Sequence, residues 1–497
     1  MIGAGLMPAR VPPILSGSLN LLKPQEYETM QNTLVRKSTN MAASVAAALL
    51  LAACASSTTP YAEQQLASAH MLTPQQVAAQ YQVDTAWWRI YQDEQLNRLV
   101  DTALANNVDL KKTAITVEQA RYSAGQAADA LFPTNNSKGT AARTVSKNLK
   151  EGGSASNQFE SSISLGVSYE LDLWQKVRAS ANVAAWEYQA SAQDLATARL
   201  ALINSVVDGY FQLAYLDEAM QLTRQSIDQY REIARIADSQ YRHGKVASIN
   251  PANAQQSLLG AQESLLSLQQ SRNQLEQSLR NLLNLRPGDS LAINPIRLAA
   301  LPATQVDLNV PLQVLANRPD LQAAEYRLHK AWSSQQVAQR SWYPSISLGA
   351  AVSASANDAQ RVFSVPVGMG VVSLNLPFLD WQTLRWQNKQ AEASFAAAKL
   401  DFEKTLTSVL NEVDGHYRQY QISRETLASA EQRYVYDQKS SRYHRVRYQQ
   451  GVESLSDWLA AMNTELSSAQ SLLNQRYTVL QRENLIYQAM AGRYAPR

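Results

Sequence analysis

Cys54 is the one cysteine among 497 residues, and its surroundings give its thiol a definite chemistry. Arg36 and Lys37 precede the apolar run Met41 to Leu51, which closes on Leu51-Ala52-Ala53-Cys54. A charged start, a short apolar stretch and small residues before a cysteine form a lipobox-type secretory signal, cleaved once the thiol carries diacylglycerol. The run is too short to stay in a bilayer as a permanent helix. Residues 1–53 are therefore expected to be removed, leaving an N-acyl diacylglyceryl lipid on Cys54. A buried free cysteine in a helix is the bland alternative. Met30 offers a signal start, so residues 1–29 read as an upstream extension. In bacterial lipoproteins an aspartate after the cysteine favours the inner membrane; Ala55 stands there, which favours the outer one.

The remaining reactive side chains assemble nothing catalytic. His70, His243, His329, His416 and His444 are scattered, with no paired nucleophile, no phosphate-cradling glycine loop and no metal-ligand spacing. The nine methionines form no copper path. No enzyme activity, metal or further cofactor is expected. A net charge of +3 without basic tracts interleaved with aromatics does not point to nucleic acid. What stands out instead is a pair of turns. Gly244 and Gly451 sit where long helical patterns stop, and glycine readily takes the left-handed backbone that ends a helix. Asn250-Pro251 reads as the N-cap and first-turn proline of a returning helix, and Ser456-Asp457 as the start of its counterpart. Basic residues crowd both turns: Arg242, His243 and Lys245 at one, Arg442, His444, Arg445 and Arg447 at the other. A solvated helix face is the ordinary reading; a ring of cations gathered around the turns is the sharper one.

The elements carrying these turns are duplicated. Asn106-Asn107-Val108-Asp109-Leu110 matches Asn317-Arg318-Pro319-Asp320-Leu321, and Phe132-Pro133 matches Tyr343-Pro344 at the same offset. Val207-Asp208-Gly209-Tyr210 matches Val413-Asp414-Gly415-His416. Tyr241-Arg242-His243-Gly244 matches Tyr448-Gln449-Gln450-Gly451. Each half should hold a helix, two strands, a very long helix, a tight turn and a long helix. No proline interrupts Pro133 to Pro251 or Pro377 to Pro496, and Ile203, Val207, Tyr210, Leu213, Leu216 and Met220 keep helical spacing. The run lasts roughly 60 residues, or about 90 Å.

Phe159 to Leu173 instead alternates strictly, with Phe159, Ile163, Leu165, Val167, Tyr169, Leu171 and Leu173 on one face and Glu160, Ser162, Ser164, Gly166, Ser168, Glu170 and Asp172 on the other. Ile346, Leu348, Ala350 and Val352 repeat this. Val365 to Leu376 alternates too, but its phase switches near Val371 and Val372, as at a bulge, and a weaker strand lies within Thr134 to Asn148. A half-buried sheet of a soluble protein would alternate likewise. Four strands cannot close a useful bore, and lipid forbids open sheet edges. In a membrane, three chains would therefore share a 12-stranded barrel.

These residues resemble the TolC-type outer membrane factors, in particular the NodT-like lipoprotein subgroup associated with resistance-nodulation-division (RND) efflux pumps. The resemblance rests on Trp87-Trp88-Arg89-Ile90-Tyr91-Gln92-Asp93, on Tyr169-Glu170-Leu171-Asp172-Leu173-Trp174, on Asn317 to Leu321, and on Leu376-Pro377-Phe378-Leu379-Asp380. It implies a mainly α fold with β: a homotrimeric transmembrane β-barrel, four strands per protomer, continuing into a long periplasmic α-helical barrel with a mixed equatorial domain. The implied division is 1–53 removed, 54–94 anchor and equatorial segment, 95–285 first repeat, 286–316 connector, and 317–497 second repeat and chain end. Two departures are visible. The family usually follows the strand with an aromatic-glycine pair, whereas this chain has Trp174-Gln175 and Trp381-Gln382.

The same resemblance implies that Tyr448 and Asp457 join inter-helix links that hold the tip shut, with Asn250 at the first-half aspartate position. It also implies that Val246, Ala247, Val452 and Leu455 meet a periplasmic adaptor (membrane fusion) protein, itself joined to an inner-membrane RND-type pump. The expected function is the outer membrane channel of a tripartite efflux pump; protein secretion of type I and metal-ion export are the alternatives. A periplasmic adaptor would show one hairpin and no duplicated strand pair, and an envelope enzyme would need a site that these residues do not assemble.

Overall fold

The computed structural model describes residues 71–146, 156–291, 293–301, 306–307, 310–356 and 366–496. Cys54 and the signal-like segment lie outside them. The first repeat comprises α3 (Val108–Asp129), β2 (Thr134–Asn135), β3 (Lys138–Ser146), β4 (Ser156–Leu171), α4 (Lys176–Arg242) and α5 (Ile249–Leu283). Ahead of it come α1 (Pro74–Gln80), β1 (Tyr81–Asp84) and α2 (Glu94–Asn106). The second comprises α6 (Pro319–Arg340), β5 (Ser345–Ala356), β6 (Val367–Asn375), α7 (Trp381–Gln449) and α8 (Leu455–Ala489), followed by β7 (Arg493–Pro496). The match is close in length. α3 and α6 have 22 residues each, α5 and α8 have 35 each, and α4 and α7 have 67 and 69. At 1.5 Å per residue the last two run about 100 Å.

The strands form one antiparallel sheet in the order β2/β3, β4, β5, β6. β2 and β3 keep one register against β4, with Thr134 opposite Ser168 and Lys138 opposite Ser164, so they act as a single interrupted strand. The expected bulge near Val371 is absent. β5 and β6 pair without a break from Ser345↔Asn375 to Ser353↔Val367. The phase switch is a change of composition instead: Gly368 and Gly370 continue the face of Val372 and Leu374, leaving Val367, Met369 and Val371 on the serine face. Ile163, Leu165, Val167, Tyr169 and Leu171 pair with Ala354, Val352, Ala350, Leu348 and Ile346, so the apolar face is continuous across strands.

The helices form a wall one helix thick. Beside the sheet its order is α3, α4, α6, α7; beyond it, α5, α4, α8, α7. Sheet and wall therefore share two free edges, one at β2/β3 with α3 and α5, the other at β6 with α7. Burial follows position. Interior α4 buries twenty-two residues, α7 of similar length buries eight, and α3 buries none. The edge helices expose Ile115 and Tyr122 (α3), Leu259 and Leu266 (α5), and Ile422, Tyr436 and Tyr443 (α7).

A second layer covers the middle of this wall. β1 pairs with β7, Val83 opposite Tyr494, joining the start of the described chain to its end. Trp87, Tyr91, Leu96 and Val100 pack on Ile203, Val207, Tyr210 and Phe211 of α4. Val314, Leu315 and Leu321 pack on Phe402, Leu406 and Val413 of α7. Three cross-links there pair buried polar groups: Tyr210 donates to Asp93, the Trp87 indole to Asn484 at 2.9 Å, and Tyr477 to Asp208 at 3.0 Å, whereas the Trp88 indole N–H and the Tyr91 hydroxyl have no partner among the described residues. A linked group left unpaired would cost about 1–3 kcal/mol.

Candidate functional site

The two turns at the far end of the wall are built alike. Gly244 has φ +68° and Gly451 φ +75°. Gly244 N–H donates to Tyr241 at 2.9 Å and Lys245 N–H to Gln240 at 2.9 Å; Gly451 donates to Tyr448 and Val452 to Arg447, both at 3.0 Å. Both are Schellman closures, in which glycine avoids the Cβ clash of the left-handed region.

The returning helices start differently from the sequence expectation. α5 begins at Ile249, with Ser248 at the N-cap and no side-chain cap, so Asn250 and Pro251 fall inside the first turn, where a missing N–H costs no helical bond. α8 begins at Leu455 rather than after Ser456. Its N-cap is Ser454, whose hydroxyl accepts from Asp457 N–H at 3.2 Å, while the Asp457 carboxylate accepts from the Ser454 N–H at 3.2 Å and hydroxyl at 2.6 Å. That reciprocal box holds the Asp457 carboxyl below its usual range, through the Ser454 hydroxyl first and its backbone N–H second.

Tyr448 is brought to the neighbouring repeat. Its hydroxyl donates to Gln240 Oε1 of α4 at 3.1 Å, and its ring stacks on Trp458 at 5.2 Å. Glu453 then fastens the second turn, accepting from Arg447 Nε at 2.6 Å and pairing with His444 Nδ1 at 2.7 Å. Sequence reading missed Gln240, because a partner chosen across repeats leaves no local spacing, and it missed Trp458 and Glu453, which the turn itself brings back onto Tyr448, His444 and Arg447. It also erred at Leu455, which is 3% exposed and packs with Leu459, Met462, Ile227 and Tyr230 in a core at the tip. Leucine is there to bury α8, so it is no docking contact. Val452 and Ala247 are exposed and Val246 half-exposed.

At the sheet end, aromatic side chains collect where strands become helices. Trp174 stacks on Tyr343 at 5.0 Å and donates its indole N–H to the Pro344 carbonyl at 2.8 Å. Phe132, Phe378, Leu379, Trp381 and Trp386 are exposed nearby in the chain. Asp172 caps α4, accepting from Val177 and Arg178 N–H at 2.9 and 2.8 Å. The glycine-like turn survives at one departure and not the other: Gln175 takes φ +57°, whereas Trp381 already begins α7, leaving Gln382 helical.

Residues 99–285 and 310–492 match the family model described as "Outer membrane efflux protein". The chain belongs to this family. It is similar to the "Toxin and drug export protein A" of Aggregatibacter actinomycetemcomitans, 38% identical over 85% of this chain and 91% of that protein. It is 27% identical to the "Probable efflux pump outer membrane protein TtgC" of Pseudomonas putida, over 84% of this chain and 87% of that one. Its fold is that of the Campylobacter jejuni CmeC outer membrane channel, with a TM-score of 0.75 at 24% identity over 82% of this chain and 88% of that one.

As an outer membrane efflux protein, the chain is an outer membrane channel, mainly α with β. Among the described residues no helix is long and apolar enough to cross a membrane. The sheet is the element suited to lipid. Leu165 is 61% and Val372 73% exposed on its apolar face, and the aromatic belt matches the side chains that favour a membrane–water boundary.

Proposed function

We propose that three copies join edge to edge, forming a 12-stranded barrel in the outer membrane and a helical tube below it. This tube is the exit duct of a tripartite efflux pump. The observation that carries the reading is the coincidence of free edges. β3 and β6 run in opposite directions, so β6 of one copy can pair antiparallel with β3 of the next, while α7 meets α3 and α5 with the apolar side chains named above. Lipid leaves no sheet edge unpaired, and a trimer satisfies all of them. The second layer then lies outside, and the serine-rich face lines water.

In this reading the chain does no chemistry of its own. The tip is the gate, with Tyr448 and Asp457 holding it, and Val246, Ala247 and Val452 form the surface offered to a periplasmic adaptor served by an RND-type pump. Cys54 carries the lipid anchor, which labelled palmitate would reveal in the wild type and not in Cys54→Ala. The name of the 38% identical relative supports drugs as cargo and equally supports a protein toxin. Cells lacking the gene should accumulate an efflux dye and recover exclusion when it is restored. Unchanged dye accumulation together with a loss of toxin secretion would move the reading to protein export.

A further inference from the structure

A cleft of about 470 Å³ opens in the middle of the wall, between the second layer and α4, far from either turn. Leu104 of α2 and Leu200 of α4 give it apolar walls, and Arg89, Arg199 and Asp101 stand at its rim. All three charged side chains are exposed, and none forms an ion pair among the described residues. Trp88 also lines it. This side chain is 4% exposed, and its indole N–H has no hydrogen-bond partner among the described residues, unlike that of adjacent Trp87. A buried donor without an acceptor is costly, and two guanidiniums without carboxylates form a ready fork for one.

We propose that this cleft binds an organic anion with an apolar body, its carboxylate between Arg89 and Arg199 and its alkyl or aryl part on Leu104 and Leu200. The charge balance sets the class: two cations face one anion, so a carboxylate is attracted and an ammonium of the same shape is not. None of the lining residues comes from α3, α5 or α7. The cleft therefore stays open once those edges are covered. That point rests on the assembly proposed above, whereas binding is read directly from the protein.

Calorimetric titration of the purified full-length protein in a nonionic detergent tests this, using 4-phenylbutyrate as probe and 4-phenylbutylammonium as its charge-reversed control. The carboxylate should bind saturably, once per chain, and more weakly as salt is added. Arg89→Gln with Arg199→Gln should weaken it at least about tenfold, and Asp101→Asn should tighten it. The ammonium should neither bind nor compete. Equal binding of both probes, no saturable binding, or an unchanged affinity in the double variant would overturn the proposal. None of those results bears on whether the chain conducts.

Discussion

Asn107 and Arg318 occupy equivalent places in the two repeats, and each donates to a carbonyl at the end of its own returning helix. Asn107 Nδ2 reaches Leu282 at 2.9 Å and Arg318 Nη1 reaches Ala489 at 2.7 Å. The duplicated chain thus closes each repeat at one point with different chemistry. Asn107 also caps α3 by accepting from Leu110 N–H at 2.9 Å, whereas Arg318 gathers Asp320 and Glu412 at 2.7 and 2.8 Å.

The two closures should differ in cost. Asn107→Ala removes a cap and one hydrogen bond, about 1–2 kcal/mol. Arg318 is only 9% exposed, and its loss leaves the Ala489 carbonyl without its donor and removes charge-assisted bonds to two part-exposed carboxylates, so Arg318→Ala should cost about 2–3 kcal/mol. Thermal denaturation of the purified protein would rank them. A milder effect at Arg318 would refute the assignment.

Backbone strain offers gains. Ala491 holds φ +56° where α5 ends on Asn284 at φ +55°. Ala491→Gly should therefore stabilise by about 1 kcal/mol, and Gln175→Gly by a similar amount. The next residue should behave oppositely, because a Cβ on Gly492 would sit 2.9 Å from the Asp84 carbonyl. Denaturation midpoints for Ala491→Gly and Gly492→Ala should move in opposite directions; a shift the same way would show that the backbone at the end of α8 is not held as described.

At the tip, Tyr448→Phe removes the bond to Gln240 and keeps the stack on Trp458. Single-channel recordings should show conductance raised severalfold with the assembly intact. Wild-type conductance in this variant would reduce Tyr448 to a packing residue.

Asp457 adds a pH dependence whose sign is fixed. Its carboxyl is lowered in the folded state, chiefly by the Ser454 hydroxyl, so the capping box stabilises above the unfolded value of about 3.9 and fades as pH falls through the folded one. Amide protection in the first turn of α8 should be level from pH 8 to 5 and drop below about pH 4. Asp457→Asn should lack the drop, and an identical profile in that variant would exclude the carboxylate as its source.

Much of this was legible in the residues because it is periodic or local. Alternation at Phe159 to Leu173 and proline-free stretches reported the strands and long helices. Gly244 and Gly451 reported both Schellman turns, since few residues accept that backbone. Spacing could have shown Leu455 as core, as it lies with Leu459 and Met462 on one helical stripe. The links Tyr448 to Gln240 and Arg318 to Ala489 were not readable, because each joins residues more than 170 positions apart whose types are common on any polar helix. The β6 phase switch looked like a bulge because sequence reports composition, whereas register is set by the strand alongside.

The central claim is that identical chains pool their sheets and walls around one lumen. Single-particle imaging of the detergent-extracted protein tests it most directly. A threefold particle, hollow along its length and roughly 130 to 140 Å long, is the predicted result. A compact monomer, or an oligomer without a lumen between its chains, would contradict the account.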